Sequence, residues 1–277
     1  MQLFSKDCCL DLSYTNIMGI LNITPDSFSD GGKYNLLCNA LVHVENMINA
    51  GANIIDVGGE STRPGANNVD VGEELDRVIP VIEAIKKNFD VWISVDTSKP
   101  EVMYESLKIG IHIINDIRSL HTDRALKVAA LANIPVCLVH QPIALLCYNQ
   151  YNFGDIIDEV DVYFSNQISR YEQAGIKKNN IILDPGFGFG KNINQNYQLL
   201  ANINKFRHFD LPLLVGISRK SMIGNLLKIN PSDCLIGSIS CAVVSALQGI
   251  QIIRVHDVKE TAEAMTIVKI VQNYKGM

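Results

Sequence analysis

One phrase recurs along the 277 residues: a helical stretch, a glycine, an apolar run and then a single polar residue. It reads MINAG-ANIID up to Asp56, SLKIG-IHIIN up to Asn115, EQAG-IKKNNIILD up to Asp184 and ALQG-IQIIR up to Arg254. A glycine after a helix supplies a left-handed cap. An Ile/Val/Leu run of this kind reads as a parallel strand buried on both faces. Helices alternating with such strands along the whole chain are βα units.

Further strands are predicted over 17–22, 92–96, 135–140 and 213–216. Helices are predicted over 36–50, 73–88, 100–109, 123–132, 155–174, 196–202, 238–247 and 258–274. Asp70 with Glu73, and Asp257 with Glu260, have capping-box spacing, and Pro100 suits a first helical turn. The total is about eight units, the count of a (β/α)8 TIM barrel. Alternation does not by itself show closure, so an open doubly wound sheet shares the pattern. No linker or low-complexity stretch interrupts the chain, which reads as one domain over 1–277. Leu3, Phe4, Leu10 and Leu12, around Lys6 and Asp7, suggest a short N-terminal β-hairpin plugging the lower end of the barrel.

Charge and composition narrow the function. Twenty-four basic against 29 acidic side chains give a formal charge of −5 without any Lys/Arg block, which argues against a nucleic-acid partner. The longest apolar stretch, 134–147, is broken by His140, Gln141 and Pro142, so no membrane span is expected. The N-terminus lacks a signal-peptide pattern, and the expected location is the cytoplasm. Seven cysteines without CxxC spacing suit a reducing compartment better than a disulfide framework or a zinc site.

The predicted strands end in Asn22, Asp56, Asp96, Asn115, His140, Asp184 and Arg254, with His256 just beyond. One such residue is an ordinary turn former or helix cap. A whole set at strand ends converges on one face of a barrel, the face that carries active sites. The stretches that follow are rich in Gly, Pro and hydroxyls, as in 22–32, 58–65, 184–190 and 216–224. Loops carrying Arg63 and several hydroxyls suit an anionic group that must be enclosed and released. The glycines of 184–190 would let a flat ligand approach between Phe187 and Phe189. No Walker A loop or dinucleotide fingerprint is present.

These residues suit two kinds of ligand group. Asp96 and Asp184, with Asn115, can pair with a planar N–C–N edge such as that of an aminopyrimidine. Arg63, Arg254 and His256, with Asn22 holding Mg2+, can neutralise a diphosphate. Together they describe transfer of an activated group.

At these loops the sequence resembles the dihydropteroate synthases, folate-pathway enzymes inhibited by sulfonamides. The matching stretches are MGILNITPDSFSDGG, IIDVGGESTRPGA, WISVDTSKPEV, IINDIRSL, ILDPGFGFGKN, LLVGISRKSMIG and IIRVHDVKET, in order from Met18 to Thr261. The resemblance implies a (β/α)8 barrel, a homodimer, and synthesis of 7,8-dihydropteroate and diphosphate. The substrates would be 6-hydroxymethyl-7,8-dihydropterin diphosphate and 4-aminobenzoate. Asp96, Asn115, Asp184 and Lys220 match pterin-binding positions, and Asn22 the Mg2+ position. Thr62, Arg63, Arg254 and His256 match positions near the diphosphate. Phe28, Pro64, Phe189, Lys220 and Ser221 match the 4-aminobenzoate pocket, and Arg63, Lys220 and Asp96 are the catalytic candidates. The implied chemistry is C–O cleavage followed by arylamine attack, without a Ser or Cys nucleophile.

One stretch departs from the family pattern. After the fifth strand the family commonly reads His-Met-x-Gly-x-Pro, whereas this chain has His140-Gln141-Pro142 and no glycine before Gln150. Gln141 replaces a methionine that lines the pterin pocket. The alternative this raises is a non-catalytic pterin-binding paralogue with an eroded 140–150 loop.

Overall fold

The computed structural model describes residues 1–24, 32–60, 69–141 and 155–274, with the side chains of 32–35 left aside. A hairpin of β1 (Gln2–Ser5) and β2 (Cys8–Asp11) opens the chain, with Leu3 paired to Leu10. Eight parallel strands follow, alternating with helices. They run β3 (Asn16–Asn22), α1 (Gly32–Asn49), β4 (Ile54–Gly58), α2 (Val71–Asn88), β5 (Trp92–Asp96), α3 (Pro100–Ile109), β6 (Ile113–Asp116) and α4 (Asp123–Ala132). The second half runs β7 (Val136–Val139), α5 (Ile156–Gln173), β8 (Ile181–Asp184), α6 (Ile193–Asn202), β9 (Leu214–Val215), α7 (Ser221–Leu227), α8 (Leu235–Leu247), β10 (Ile252–Val255) and α9 (Val258–Tyr274).

The strand order is β8-β7-β6-β5-β4-β3-β10-β9. A parallel bridge between Leu183 and Leu213, with the Leu183 N–H donating to the Pro212 carbonyl at 2.8 Å, joins the two ends. That contact closes the sheet into a barrel and removes the open-sheet reading.

Local chemistry explains several boundaries. Asp70 caps α2 by accepting the Glu73 N–H at 3.0 Å, and Pro100 opens α3. Gly110 ends α3 at a φ of 104°, a conformation that a Cβ strains. The spacing of Asp257 and Glu260 has a different outcome: both Asp257 carboxylate oxygens engage Arg219, at 2.5 and 3.0 Å. A bidentate ion pair outcompetes a single capping bond. Helix α7 was not expected, because Ser221 follows a polar Ser-Arg-Lys run with no apolar period.

Side-chain alternation sorts each strand into inward and outward faces. Met18, Ile54, Trp92, Ile113, Cys137, Ile182, Leu214 and Ile252, one from each strand, form an inner layer with Leu3, Leu10 and Leu12. The hairpin therefore plugs the lower end as expected. The alternate residues, such as Ile55, Ile93, Leu138 and Ile253, pack outward in the main core. Each buried side chain of this size contributes about 1.5–3 kcal/mol relative to exposure. Two residues further along, the inward phase turns polar on β4, β5, β6, β8 and β10, at Asp56, Ser94, Asn115, Asp184 and Arg254, while β3 and β7 place Ile20 and Val139 there. Among the described residues, no helix is long and apolar enough to cross a membrane.

Candidate active site

The inward phase places Asp56, Ser94, Asp96, Asn115, Asp184 and Arg254 above the apolar plug, with Asp96 in register with Asn115 and with Gly58, and Asn22 at the end of β3. Arg254 reaches across the mouth from β10. Its Nε donates to Asp56 Oδ2 and its Nη2 to Asp96 Oδ2, both at 2.6 Å. Asn115 Nδ2 donates to the same Asp56 oxygen at 3.1 Å. Asp56 Oδ1 and Ser94 Oγ are buried without a hydrogen-bond partner among the described residues, which marks this part of the barrel as built for more than packing.

Burial pushes the Asp96 carboxyl up to about 7, against the pull of Arg254, and the neighbouring Asp56 charge adds to the rise. Burial also works against the Arg254 charge, but Asp56 and Asp96 more than offset it and hold the guanidinium firmly protonated. Asp184 is likewise raised by burial, opposed by Lys220 and by the Gly186 N–H. Burial lowers Lys220 to about 8, with Asp184 pulling the other way.

The loop after β8 shapes the opposite wall. Gly186 N–H donates to Asp184 Oδ1 at 2.7 Å and so fixes the carboxylate's orientation. A Cβ on Gly186, whose φ is +68°, would stand 2.0 Å from the His140 carbonyl oxygen. Only glycine allows the loop to lie this close to β7. Lys220, at the start of α7, donates to the Phe187 carbonyl and lies over the Phe189 ring, 4.4 Å from its centroid. Ser221, the first residue of α7, is exposed beside it.

The expectation of a ligand between two rings needs correction. Phe187 is fully buried in the outer core, whereas Phe189 packs against the barrel's inner cluster. Gly186, Gly188 and Gly190, all at positive φ, turn the backbone around the two rings and send them opposite ways, so of the two Phe189 faces the mouth. His256 Nδ1 lies 3.0 Å from Ser218 Oγ, which also accepts the His256 N–H at 3.2 Å. Arg219 is held by Asp257, which leaves Lys220 as the member of the Arg-Lys pair on the site side.

The structure thus brings together Asp96 and Arg254 through a direct bond and Asn115 through their shared neighbour Asp56, and Asp184, Phe189 and Lys220 along the β8 wall. Asn22 stands at the end of β3, paired in register with Gly58. Phe28, Thr62, Arg63 and Pro64 lie outside the described residues, as does the divergent stretch beyond Gln141. Asp56 was visible as a strand end but carried no assigned role, and Lys191 had none either. Counting the inward phase up from Ile54 would have found Asp56. Among the described residues, no cluster of three or more His, Cys, Asp or Glu side chains could hold a metal ion.

Comparison with known proteins gives this site a context. The family described as pterin binding enzyme matches residues 18–256. The dihydropteroate synthase of Escherichia coli K12 is 61% identical over 270 residues, covering 97% of this chain and 96% of the relative. The crystal structure of Yersinia pestis dihydropteroate synthase in a sulfonamide drug complex superposes with a TM-score of 0.90 at 54% identity, covering 99% of this chain and 100% of that one. The Xanthomonas albilineans enzyme with 4-aminobenzoic acid superposes with a TM-score of 0.91 at 40% identity, covering 98% of each chain. Coverage is nearly complete in both directions, and the chain belongs to the pterin binding enzymes, within the dihydropteroate synthases.

Proposed function

We propose that the barrel mouth performs the dihydropteroate synthase reaction by dividing it between an acidic and a basic half. The supporting observation is the network in which Arg254 donates to Asp56 and Asp96 while Asn115 donates to the same Asp56 oxygen. Asp184, Asn115 and Asp96 would bind the polar edge of the pterin, with Lys220 as a further donor. Arg254 and His256, with Thr62 and Arg63 from the following loop, would hold the diphosphate. Phe189, Lys220 and Ser221, with Phe28 and Pro64, would receive 4-aminobenzoate.

In this reading the methylene C–O bond of the pterin diphosphate breaks first, and its electron pair leaves with diphosphate. The positive charge on the methylene spreads into the pterin ring. The arylamine lone pair then forms the C–N bond, and the nitrogen releases one proton to solvent. Preorganised charge aimed at the departing oxygens is the term expected to contribute most. No covalent enzyme intermediate is required.

Asn22 suits Mg2+ shared with substrate. It offers one neutral oxygen at the mouth, and a Cβ on the facing Gly58 would stand 3.7 Å from that oxygen, in the space the ion needs. Magnesium takes few protein oxygens and completes its shell from phosphate and water. When bound, the ion would add positive charge beside the leaving group.

A homodimer is proposed through α8 and α9, which pack against each other. Ile236, Val244 and Leu247 on α8, with Ile267, Ile270 and Val271 on α9, are exposed, a patch typical of association surfaces. A cytoplasmic setting would keep Cys8, Cys38 and Cys137, among the free thiols, reduced. The non-catalytic alternative is disfavoured by the synthase relatives and by the basic groups, which pterin binding alone does not need.

Calorimetry with the pterin alcohol and its diphosphate, with and without Mg2+, tests the division. Asn22→Ala should abolish the Mg2+ enhancement of diphosphate binding and leave the alcohol's affinity unchanged. An enhancement that survives the substitution would remove Asn22 from the metal site.

A further inference from the structure

Lys191 is the first residue beyond the glycine-rich loop, and its ammonium turns back beneath that loop. Nζ donates to the Gly186 carbonyl at 2.8 Å, to the His140 carbonyl at 3.3 Å and to the Phe189 carbonyl at 3.4 Å. A lysine ammonium has three donors, and here three main-chain oxygens face them. Two belong to the loop after β8, and the third to the end of β7. Burial lowers the ammonium to about 7, with Asp184 opposing, so the group is largely withdrawn from water.

A second side chain holds the same loop from the other side. Asn196 Oδ1 accepts the Gly188 N–H at 2.7 Å, while its Nδ2 donates to the Lys191 and Asn192 carbonyls at 3.0 and 2.8 Å. Between these two anchors the loop presents its site-facing groups. The Phe187 carbonyl accepts from Lys220, and the Phe189 ring lies under the same ammonium. Gly188 lies so close that a Cβ there would stand 3.0 Å from Lys220 Cδ. Any loosening of the loop therefore displaces Phe189 and Lys220 together.

We propose that Lys191 is a positioning residue for 4-aminobenzoate: by tying Gly186 and Phe189 to His140 it sets the Phe189–Lys220 wall against which the arylamine packs. This rests on the assignment of Phe189 and Lys220 to the 4-aminobenzoate pocket. The pterin side should feel the change less, because Asp96, Asn115 and Asp184 are set by β5, β6 and β8, to which Lys191 makes no bond.

The test is steady-state kinetics of the full-length enzyme with both substrates varied, beside calorimetry of the pterin alcohol. Lys191→Met keeps the stem and removes the donors, and should raise KM for 4-aminobenzoate about tenfold, the equivalent of one or two hydrogen bonds, with kcat little changed. Pterin affinity should move far less, and Lys191→Arg, which restores charge and donors, should recover most of the KM. Phe189→Ala serves as the reference. If it raises KM for 4-aminobenzoate and Lys191→Met does not, the positioning role is wrong. A proportional loss of both substrate affinities in Lys191→Met also overturns it, since that is the mark of a general folding role. If Phe189→Ala leaves KM unchanged, the pocket assignment fails and the proposal with it.

Discussion

Arg254 Nε and Asp56 Oδ2 are 198 residues apart in the chain and 2.6 Å apart in the barrel mouth. The same guanidinium holds Asp96 at 2.6 Å, so one cation serves two buried carboxylates that stand on neighbouring strands. Its removal leaves both acids without an ion pair among the described residues. Breaking a buried ion pair from one side costs about 3–5 kcal/mol. Arg254→Met should lose stability on that scale in urea unfolding at neutral pH. The gap from the wild type should narrow as pH falls below about 7 and Asp96, raised by burial, takes up its proton, because a neutral acid needs no counter-charge.

Asp184→Asn should weaken binding of the pterin alcohol by about 1–3 kcal/mol, the scale of a lost charged hydrogen bond. Calorimetry reads this directly. An unchanged dissociation constant would remove Asp184 from the pterin site.

Gly186→Ala combines a backbone at φ +68° with a Cβ placed 2.0 Å from the His140 carbonyl oxygen. Strain of this kind costs about 1–3 kcal/mol at each such residue, and the backbone clash adds to it. The variant should melt at a lower temperature than the wild type. It should also bind 4-aminobenzoate more weakly, since the loop cannot keep its distance from β7.

His112 gives a stability prediction with a defined sign. Its Nδ1 accepts the Ile93 N–H at 2.9 Å, its ring stacks on Trp92, and burial, with Lys86 nearby, lowers it to about 4. The unfolded chain takes up this proton near pH 6.5 and the folded one does not, so the histidine's contribution is lost as pH falls from about 6.5 to about 4. Asp96, raised to about 7, works in the opposite direction over the same window. The comparison that isolates the histidine is therefore wild type against His112→Gln. The variant's unfolding midpoint, relative to the wild type, should rise as the buffer is made more acidic.

The architecture was legible because its cause is periodic. Glycine-ended helices and apolar runs announce βα units, and the polar residue at each strand end marks the mouth. Closure was not legible in the residues alone, since it depends on one bridge between Leu183 and Leu213. The partners of Arg254 were hidden for a similar reason: strand phase says that a side chain points inward, not which acid stands across the barrel. Phe187 and Phe189 could not be told apart within a glycine-rich loop that has no period. The capping spacing of Asp257 was real, but Arg219 satisfied the carboxylate instead. Lys191 gave no signal, because its partners are carbonyls, which every residue carries.

The most direct test of the whole account is diphosphate release by the purified protein, coupled to a colour reaction, with pterin diphosphate, Mg2+ and 4-aminobenzoate. The account predicts release that rises with 4-aminobenzoate to saturation and matches 7,8-dihydropteroate mole for mole. Saturable pterin binding with no diphosphate released under any of these conditions would contradict it.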